Sequence, residues 1–421
     1  MKRALVLLTA MLAAHFITAG RALAQTPPDT TVQLQKDALN IYVDCDYYCD
    51  LDYIRTEIPY VNYVRDRKEA QVHVLITTQR TGSGGREHTL SLLGQHNFAG
   101  LNDTLRYVSQ QTDTDDTIRK GLVRALNLGL VRYVSKTPFI EHLAVTYNKP
   151  ATASTVTDKW DYWVFRSSAN GYFNGEKSAK FTSLYGSFSA RRVTSALKIN
   201  LQLYGNYNES SFDIGARTIS SFSRSKGVSA LAVKSLGEHW SAGVDCDLYS
   251  STYSNLDYAG SAAPALEYNL FPYSQSTRRQ LRFLYEVSWN RRGYAEVTIY
   301  GKNTETLWSE SLTLTLESKQ TWGTVETSLE GSHYFHDFAK NRLQLYSQLS
   351  LQLFKGVSFD LYGSFSLIHD QLSLPKGGAT DEEILLQRKQ LATQYQYFGS
   401  MGISYTFGSI YNNVVNPRFG N

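Results

Sequence analysis

The chain has 421 residues, 42 of them Lys or Arg and 38 Asp or Glu, for a formal charge of +4 and a mean hydropathy of −0.32. A balance so near neutral gives no electrostatic case for nucleic acid, and beyond the first two dozen residues no apolar run reaches the ~20 needed to cross a bilayer as a helix. The unusual count is Tyr, 29 against 19 Phe and 6 Trp; its apolar ring and wet tip suit a membrane–water boundary.

The chain opens Met1-Lys2-Arg3, runs apolar over 4–17, and then reads Ala22-Leu23-Ala24. A basic head, a short greasy middle and an Ala-x-Ala end predict a secretory signal peptide over 1–24. His15 interrupts the run, which argues against a spanning helix. Loss of Lys2, Arg3 and Arg21 with the signal leaves the exported chain close to neutral. Gln25, not Cys, stands directly after the cut, so no lipid anchor is expected.

A Pro- and Thr-rich lead-in (26–31) precedes a stretch of α/β character that, with it, makes a domain over 25–150. A strand is predicted at 39–43. A helix follows at 50–57 and stops before Pro59, whose ring blocks continuation. Val72, Val74 and Ile76 alternate along a strand at 71–78. A Gly-rich turn at 81–85 leads into a second strand at 88–93, so the two read as a hairpin. A third strand is expected at 104–110. Asp115-Asp116 then opens a helix, where carboxylates suit the exposed amides. Ile118, Leu122, Ala125, Leu126, Gly129 and Val134 give that helix a buried face. The order β-α-β-β-β-α is similar to that of small α/β domains in periplasmic secretion and translocation proteins. Cys45 and Cys49 are near enough in sequence to pair across a tight turn, and an exported protein keeps disulfides.

Residues 148–158 read as a linker. After it no helix is legible, and strands alternate with turns over 156–421. Leu197, Ile199, Leu201 and Leu203 oppose Lys198, Asn200, Gln202 and Tyr204. Leu343, Leu345, Leu349 and Leu351 oppose Gln344, Tyr346, Gln348 and Ser350. Such period-two ladders count to about twelve strands, an even number as bacterial barrels require. Connections after even strands should be tight, as at 236–239, 320–323 and 355–356. Those after odd strands should be longer, as at 208–224, 291–306 and 369–392. Pro264 objects to its strand, so a bulge or a later strand start is expected there. Cys246 reads as a small apolar residue on a strand.

A soluble sandwich also alternates, but its polar faces meet water and its apolar faces meet each other. Here the polar faces carry Lys198, Arg282, Glu286, Glu317, Glu326, Glu330 and Asp360, which suit a wet or ion-paired interior. The apolar faces are rich in Leu, a poor strand former that is at home against lipid. In lipid every backbone group must be bonded internally, so the sheet must close.

In the last strand, Ser400-Met401-Gly402-Ile403-Ser404-Tyr405-Thr406-Phe407 reads polar, any, Gly, any, any, aromatic, any, aromatic. The pattern, carried by Ser400, Gly402, Tyr405 and Phe407, resembles the C-terminal signature by which bacterial outer-membrane β-barrels reach their assembly machinery. That signature ordinarily ends at the final aromatic, whereas here 408–421 follow. Residues 160–407 resemble a family of bacterial outer-membrane barrels with a small N-terminal periplasmic α/β domain. The resemblance implies an outer-membrane location, lipid and the barrel-assembly machinery as partners, and a periplasmic protein or cell-wall partner for the first domain. It brings no activity with it.

Other constellations are weak. His333 and His336, three apart on a strand, point to opposite faces and cannot readily share a metal. The turn at 82–86 lacks the Gly-Lys-Ser/Thr end of a phosphate loop. Asp44, Asp46, Asp50 and Asp52 lack the Gly and terminal Glu of a calcium loop. No catalytic residue, cofactor or metal site is expected. The sequence thus predicts an α+β domain followed by an all-β transmembrane antiparallel barrel, porin-like or structural and not an enzyme. The alternative is an outer-membrane lipase- or phospholipase-like hydrolase, which needs a Ser–His pair on the outer wall.

Overall fold

The computed structural model describes residues 37–45, 49–82, 84–144, 146, 158–215, 217–377, 390–409 and 418. The expected signal peptide, the lead-in and all but the last residue of the linker lie outside them. Asp37–Val415 forms one compact unit that holds two sheets.

The first sheet has five strands in the order β2-β1-β3-β4-β5: β1 (Asn40–Cys45), β2 (Asn62–Tyr63), β3 (Val72–Arg80), β4 (Arg86–Gly94) and β5 (Asn102–Ser109). β1 runs parallel to β2 and β3, and β3, β4 and β5 form an antiparallel meander. The helices are α1 (Leu51–Glu57) and α2 (Asp115–Val134). The two-residue β2 was not legible, because it is too short to show a period.

Local chemistry explains these bounds. Asp50 caps α1 by accepting from Tyr53 N. Thr114 caps α2 through its hydroxyl to Thr117 N at 3.2 Å, with Asp115 and Asp116 in the first turn; the cap is one residue ahead of the acidic pair. Period two on the strands and period 3.6 on α2 meet in one core, where Val72, Val74, Ile76, Leu90 and Leu92 pack with Leu122, Leu126 and Leu130. Tyr133 is fully buried there, and its hydroxyl donates to Leu92 O at 3.1 Å and Leu101 O at 2.9 Å. Gly129 lets α2 approach, since a Cβ would stand 2.9 Å from side-chain atoms of Leu92 and Leu105. Cys45 and Cys49 are joined as a disulfide.

The second sheet has twelve strands, each bonded to its neighbour in sequence. They are β6 (Trp163–Gly175), β7 (Ala179–Val193), β8 (Leu197–Ile214), β9 (Arg217–Ser235), β10 (Trp240–Ser251), β11 (Leu256–Asn269), β12 (Arg279–Tyr294), β13 (Thr304–Gln320), β14 (Gly323–Tyr334), β15 (Asp337–Phe354), β16 (Val357–Ile368) and β17 (Tyr395–Tyr405). Every pairing is antiparallel. No ladder joins β6 to β17 among the described residues, so both are edges.

The tight turns fall where expected at 236–239, 321–322 and 355–356, on the end where β6 begins, and 369–394 is long. Two expectations need correction. The stretch 208–224 is not a loop: β8 runs on to Ile214 and β9 starts at Arg217. Ser210 and Ser211 pair with Ser221 and Ser220 there, so the backbone ladder persists where the greasy alternation that marks a strand has ceased. The connection at 270–278, after an even strand, is long and includes a short 3-10 helix.

Pro264 needs neither a bulge nor a late start. β11 stays in register on both sides of it, opposite Val244 on β10, and its pairing to β12 merely lapses between Ala262 and Ala265. The missing N–H costs one rung and leaves the register intact.

Leu126→Ala should lower the stability of the α/β unit by about 2–5 kcal/mol, as large-to-small changes in packed cores do, read as lost hydrogen-exchange protection in β3 and β4. His88 gives a pH-dependent counterpart. Its ring is buried against Tyr107 and accepts or donates at Thr78, and burial, then Arg86, lowers its pKa below 6.5. The fold therefore prefers the neutral ring: stability is full above pH 6.5 and falls as pH drops below it. Protection of β4 should decline from pH 7 toward pH 5, and His88→Phe should flatten that slope.

Candidate functional site

The twelve-stranded sheet has a polar face and an apolar face, and register assigns every side chain to one or the other. One rung runs Lys198, Val233, Gly243, Ala265, Glu286, Ser311, Ser332, Arg342 across β8 to β15. All seven charged residues singled out from the sequence share this polar face. The structure brings three of them, Lys198, Arg282 and Glu286, around one cavity of about 510 Å³, together with Asp245, Glu238, Glu267 and Tyr273.

Arg282 organises this cluster. Its guanidinium donates to Glu317 at 2.7 Å and stands 3.7 Å from Glu267. Glu317 also accepts from Gln280 at 3.1 Å, and Glu267 accepts from the Tyr273 hydroxyl at 2.7 Å. Glu286 accepts from Ser311. The remaining candidates stand outside the cavity: Glu326 lies opposite Glu317 and Gln348, Glu330 opposite Thr313 and Gln344, and Asp360 opposite Ser350 and Gly402. Alternation therefore found the face, but Asp245, Glu267 and Tyr273 were missed: Ala263 and Ala265 dilute the polar signal along the strand of Glu267, and Tyr273 lies in a connection.

At the far end, where β6 ends, the long connections fold back onto the polar face. Arg342 donates to both oxygens of Asp370, at 2.9 and 3.1–3.2 Å. Leu372 packs with Leu307 and Tyr334, two residues of the polar face, and Arg292 donates to the Tyr334 hydroxyl. A second connection, 295–303, is stitched to the first by Ile299 N to Leu374 O and Lys376 N to Val297 O, both 2.8 Å. Asn255 sits between them with φ 55°, a conformation that Asn tolerates better than most residues. Its amide donates to Glu296 O and Ser373 O, and its oxygen accepts from Glu296 N. None of this was legible in sequence, since Asp370 and Leu372 lie in a stretch without period.

The opposite face is greasy and exposed. Leu248 is 53% exposed, Leu312 51% and Leu203 48%, and the free Cys246 shares their face. Trp289 and Trp308 stand opposite each other toward the far end, and Trp240 meets Tyr268 at 4.7 Å toward the near end. His333 lies on this apolar face, 2.8 Å from Glu310, which also accepts from the Tyr285 hydroxyl. Among the described residues no Ser hydroxyl bonds to His333.

The other sequence motifs resolve locally. Asp44 meets His73 and Arg67, Asp50 caps α1 and meets Arg119, and Asp52 meets Arg55, so each is matched to a basic side chain; Asp46 lies outside the described residues. No grouping of three metal-ligating side chains occurs among the described residues. In β17, Ser400, Gly402 and Tyr405 stand opposite Tyr362, Asp360 and Val357, and Tyr405 stacks on Phe407 at 5.4 Å.

The two sheets touch at the near end. Gln79 donates to Ser276 at 3.3 Å, Asp66 accepts from Gly356 N at 3.1 Å, Glu69 pairs with Lys355, and Arg65 donates to Ser409 O at 2.8 Å. Gly82 abuts Val193, where a Cβ would come within 2.4 Å of the valine Cβ.

No family model matches the chain, and no curated protein does. Among solved structures it is similar to the NanC porin, at 9% identity and a TM-score of 0.28, over 57% of this chain and 99% of that one. It is also similar to the translocator domain of the autotransporter NalP from Neisseria meningitidis, at 10% identity and a TM-score of 0.25, over 58% of this chain and 87% of that one.

Arg342→Ala should release Asp370 and loosen the in-folded segment. Limited trypsin digestion should then cut after Lys376 several-fold faster than in the parent protein, with the rest of the sheet unaffected.

Proposed function

We propose that the chain is an exported outer-membrane β-barrel, with 25–150 in the periplasm and 156–421 in the membrane. Its occluded interior makes it a structural or tightly gated barrel rather than an open pore. The observation that carries this is the exposure of the apolar face. Large apolar side chains from β6 to β17 are exposed together, far beyond the few hundred Å² that a soluble monomer shows in one patch. Lipid is the solvent that such a face fits.

Closure follows from the same solvent. β6 and β17 present 13- and 11-residue edges, and each unbonded peptide group in hydrocarbon costs several kcal/mol. Pairing β6 to β17 removes both edges. Curvature has independent support. Val193 on β7 and Gly356 beside β16 both touch the α/β unit, yet flat strands about 4.8 Å apart would separate them by roughly 40 Å. A domain of this size is only about 30–35 Å across. A curled sheet brings both within reach.

The occluded interior has its support in the Arg282 cluster, in which one guanidinium bridges Glu267 and Glu317 across the polar face, and in the segment tied by Arg342 and Asp370. On this reading Lys198, Arg282, Glu286, Glu317, Glu326, Glu330 and Asp360 are interior filler rather than a selectivity lining. Ser400, Gly402, Tyr405 and Phe407 serve delivery to the assembly machinery.

A matched pair of substitutions tests the reading. Leu345 lies on the apolar face and Gln344 on the polar one. Leu345→Arg should cost about 2–4 kcal/mol in folding into phospholipid vesicles, the usual penalty for Arg at the bilayer midplane. Gln344→Arg should cost far less. The measurement is urea titration of the heat-modifiable folded band, and the reverse order of effects would sink the membrane assignment.

A further inference from the structure

We infer that the α/β unit is seated as a cap across the near-end mouth of the twelve-stranded barrel, through the face of its sheet that carries no helix. The inference rests on the barrel reading above and adds an intramolecular interaction surface to it.

The contacts are spread around the rim. Gly82 meets the turn after β7, Gln79 the connection between β11 and β12, and Asp66 and Glu69 the turn between β15 and β16. Counted along twelve strands, these are the second, the sixth to seventh and the tenth to eleventh. They fall about a third of a turn apart once the sheet is closed. A domain swinging from its linker would touch one sector of the rim, whereas contacts in three sectors define a plane across the mouth. The sizes agree: a twelve-strand barrel with ordinary tilt has a backbone diameter of about 20–25 Å, and a domain of about a hundred residues spans more than that.

The seated face is also consistent. Val72, Val74 and Ile76 of β3 point into the core with the helices, so His73, Leu75, Thr77 and Gln79 point the other way. That second face is buried as well, with His73 0% and Leu75 6% exposed; Tyr42 and Asp44 meet His73, and Arg67 stands over Tyr42. Gln79, at the end of the row, is the residue that bonds to Ser276. Tyr42 of β1, on the same face, looks onto Gln352 and Ser358 of the barrel rim across a cavity of about 190 Å³.

The seat is polar and modular. Its ion pair and backbone contacts are rim contacts of the kind that yield to competing charge, while the β15–β16 turn and the β11–β12 connection are held about a third of a turn apart on the mouth. Any solute entering from this side must first displace the cap.

Two bridges in the full-length protein test this. With the protein in phospholipid vesicles, a zero-length carbodiimide should join the Glu69 carboxylate to the Lys355 amine, detected as a linked peptide by mass spectrometry. In a Cys246→Ala background, Gln79→Cys with Ser276→Cys should oxidise to a disulfide in the same molecules. Glu69→Lys should slow that disulfide, a third of the way round the mouth, by up to about five-fold, as loss of one exposed ion pair allows. Adding Lys355→Glu should restore it. Both bridges with that distal effect are the expected result. One bridge or none, in protein that is membrane-embedded and heat-modifiable, overturns the cap and leaves the barrel standing. Both bridges in protein that stays soluble without detergent would keep the seat and discard the membrane, and neither bridge in soluble protein would discard both.

Discussion

The constraint on which the structure depends is the peptide group's need for a partner. From β6 onward the chain commits its backbone to one antiparallel meander, each strand bonded to the next. A meander of that length satisfies nearly every donor and acceptor, but it leaves two edges and one greasy face. On the reading proposed above, both leftovers are resolved by one step, curling the greasy face outward into lipid and joining the edges. The five-stranded sheet solves the equivalent problem differently, by laying α1 and α2 over its apolar face.

Once the apolar side chains face outward, the interior must be polar, and a polar interior has to be balanced. Unpaired carboxylates on facing strands would repel strongly where water is scarce. Arg282 bridges Glu267 and Glu317 near one end and offsets one of their two charges, and Arg342 pairs with Asp370 near the other. The same ion pairs also occupy space. On the barrel reading proposed above, these groups would both stabilise the interior and narrow its bore.

Legibility in sequence followed the range of the interaction. Alternation placed all twelve strands, because period two is a property of a strand and the solvent on its two sides. It failed at 208–224, where both faces of β8 and β9 become polar and a strand looks like a loop. Pro264 was read as a bulge or a late strand start because its missing N–H is a local fact, whereas the rungs on either side that hold β11 in register belong to β10 and β12. The polar-face charges were found as a set, but not which of them meet. Arg282 reaches Glu317 across 35 positions of sequence, and Arg342 reaches Asp370 across a strand and a turn.

What the sequence alone determined was the period of each element, the chemistry of each face, and the division into a helix-bearing first part and a strand-only second part. These depend on neighbours two to four positions apart. Tertiary structure alone decided the partners of Arg282 and Arg342, the folding of 369–374 back over the polar face, the role of Asn255 between three connections, and the meeting of Gln79 with Ser276. Each of those joins groups far apart in the chain, and their energies depend on distances that exist only after the strands have taken their register.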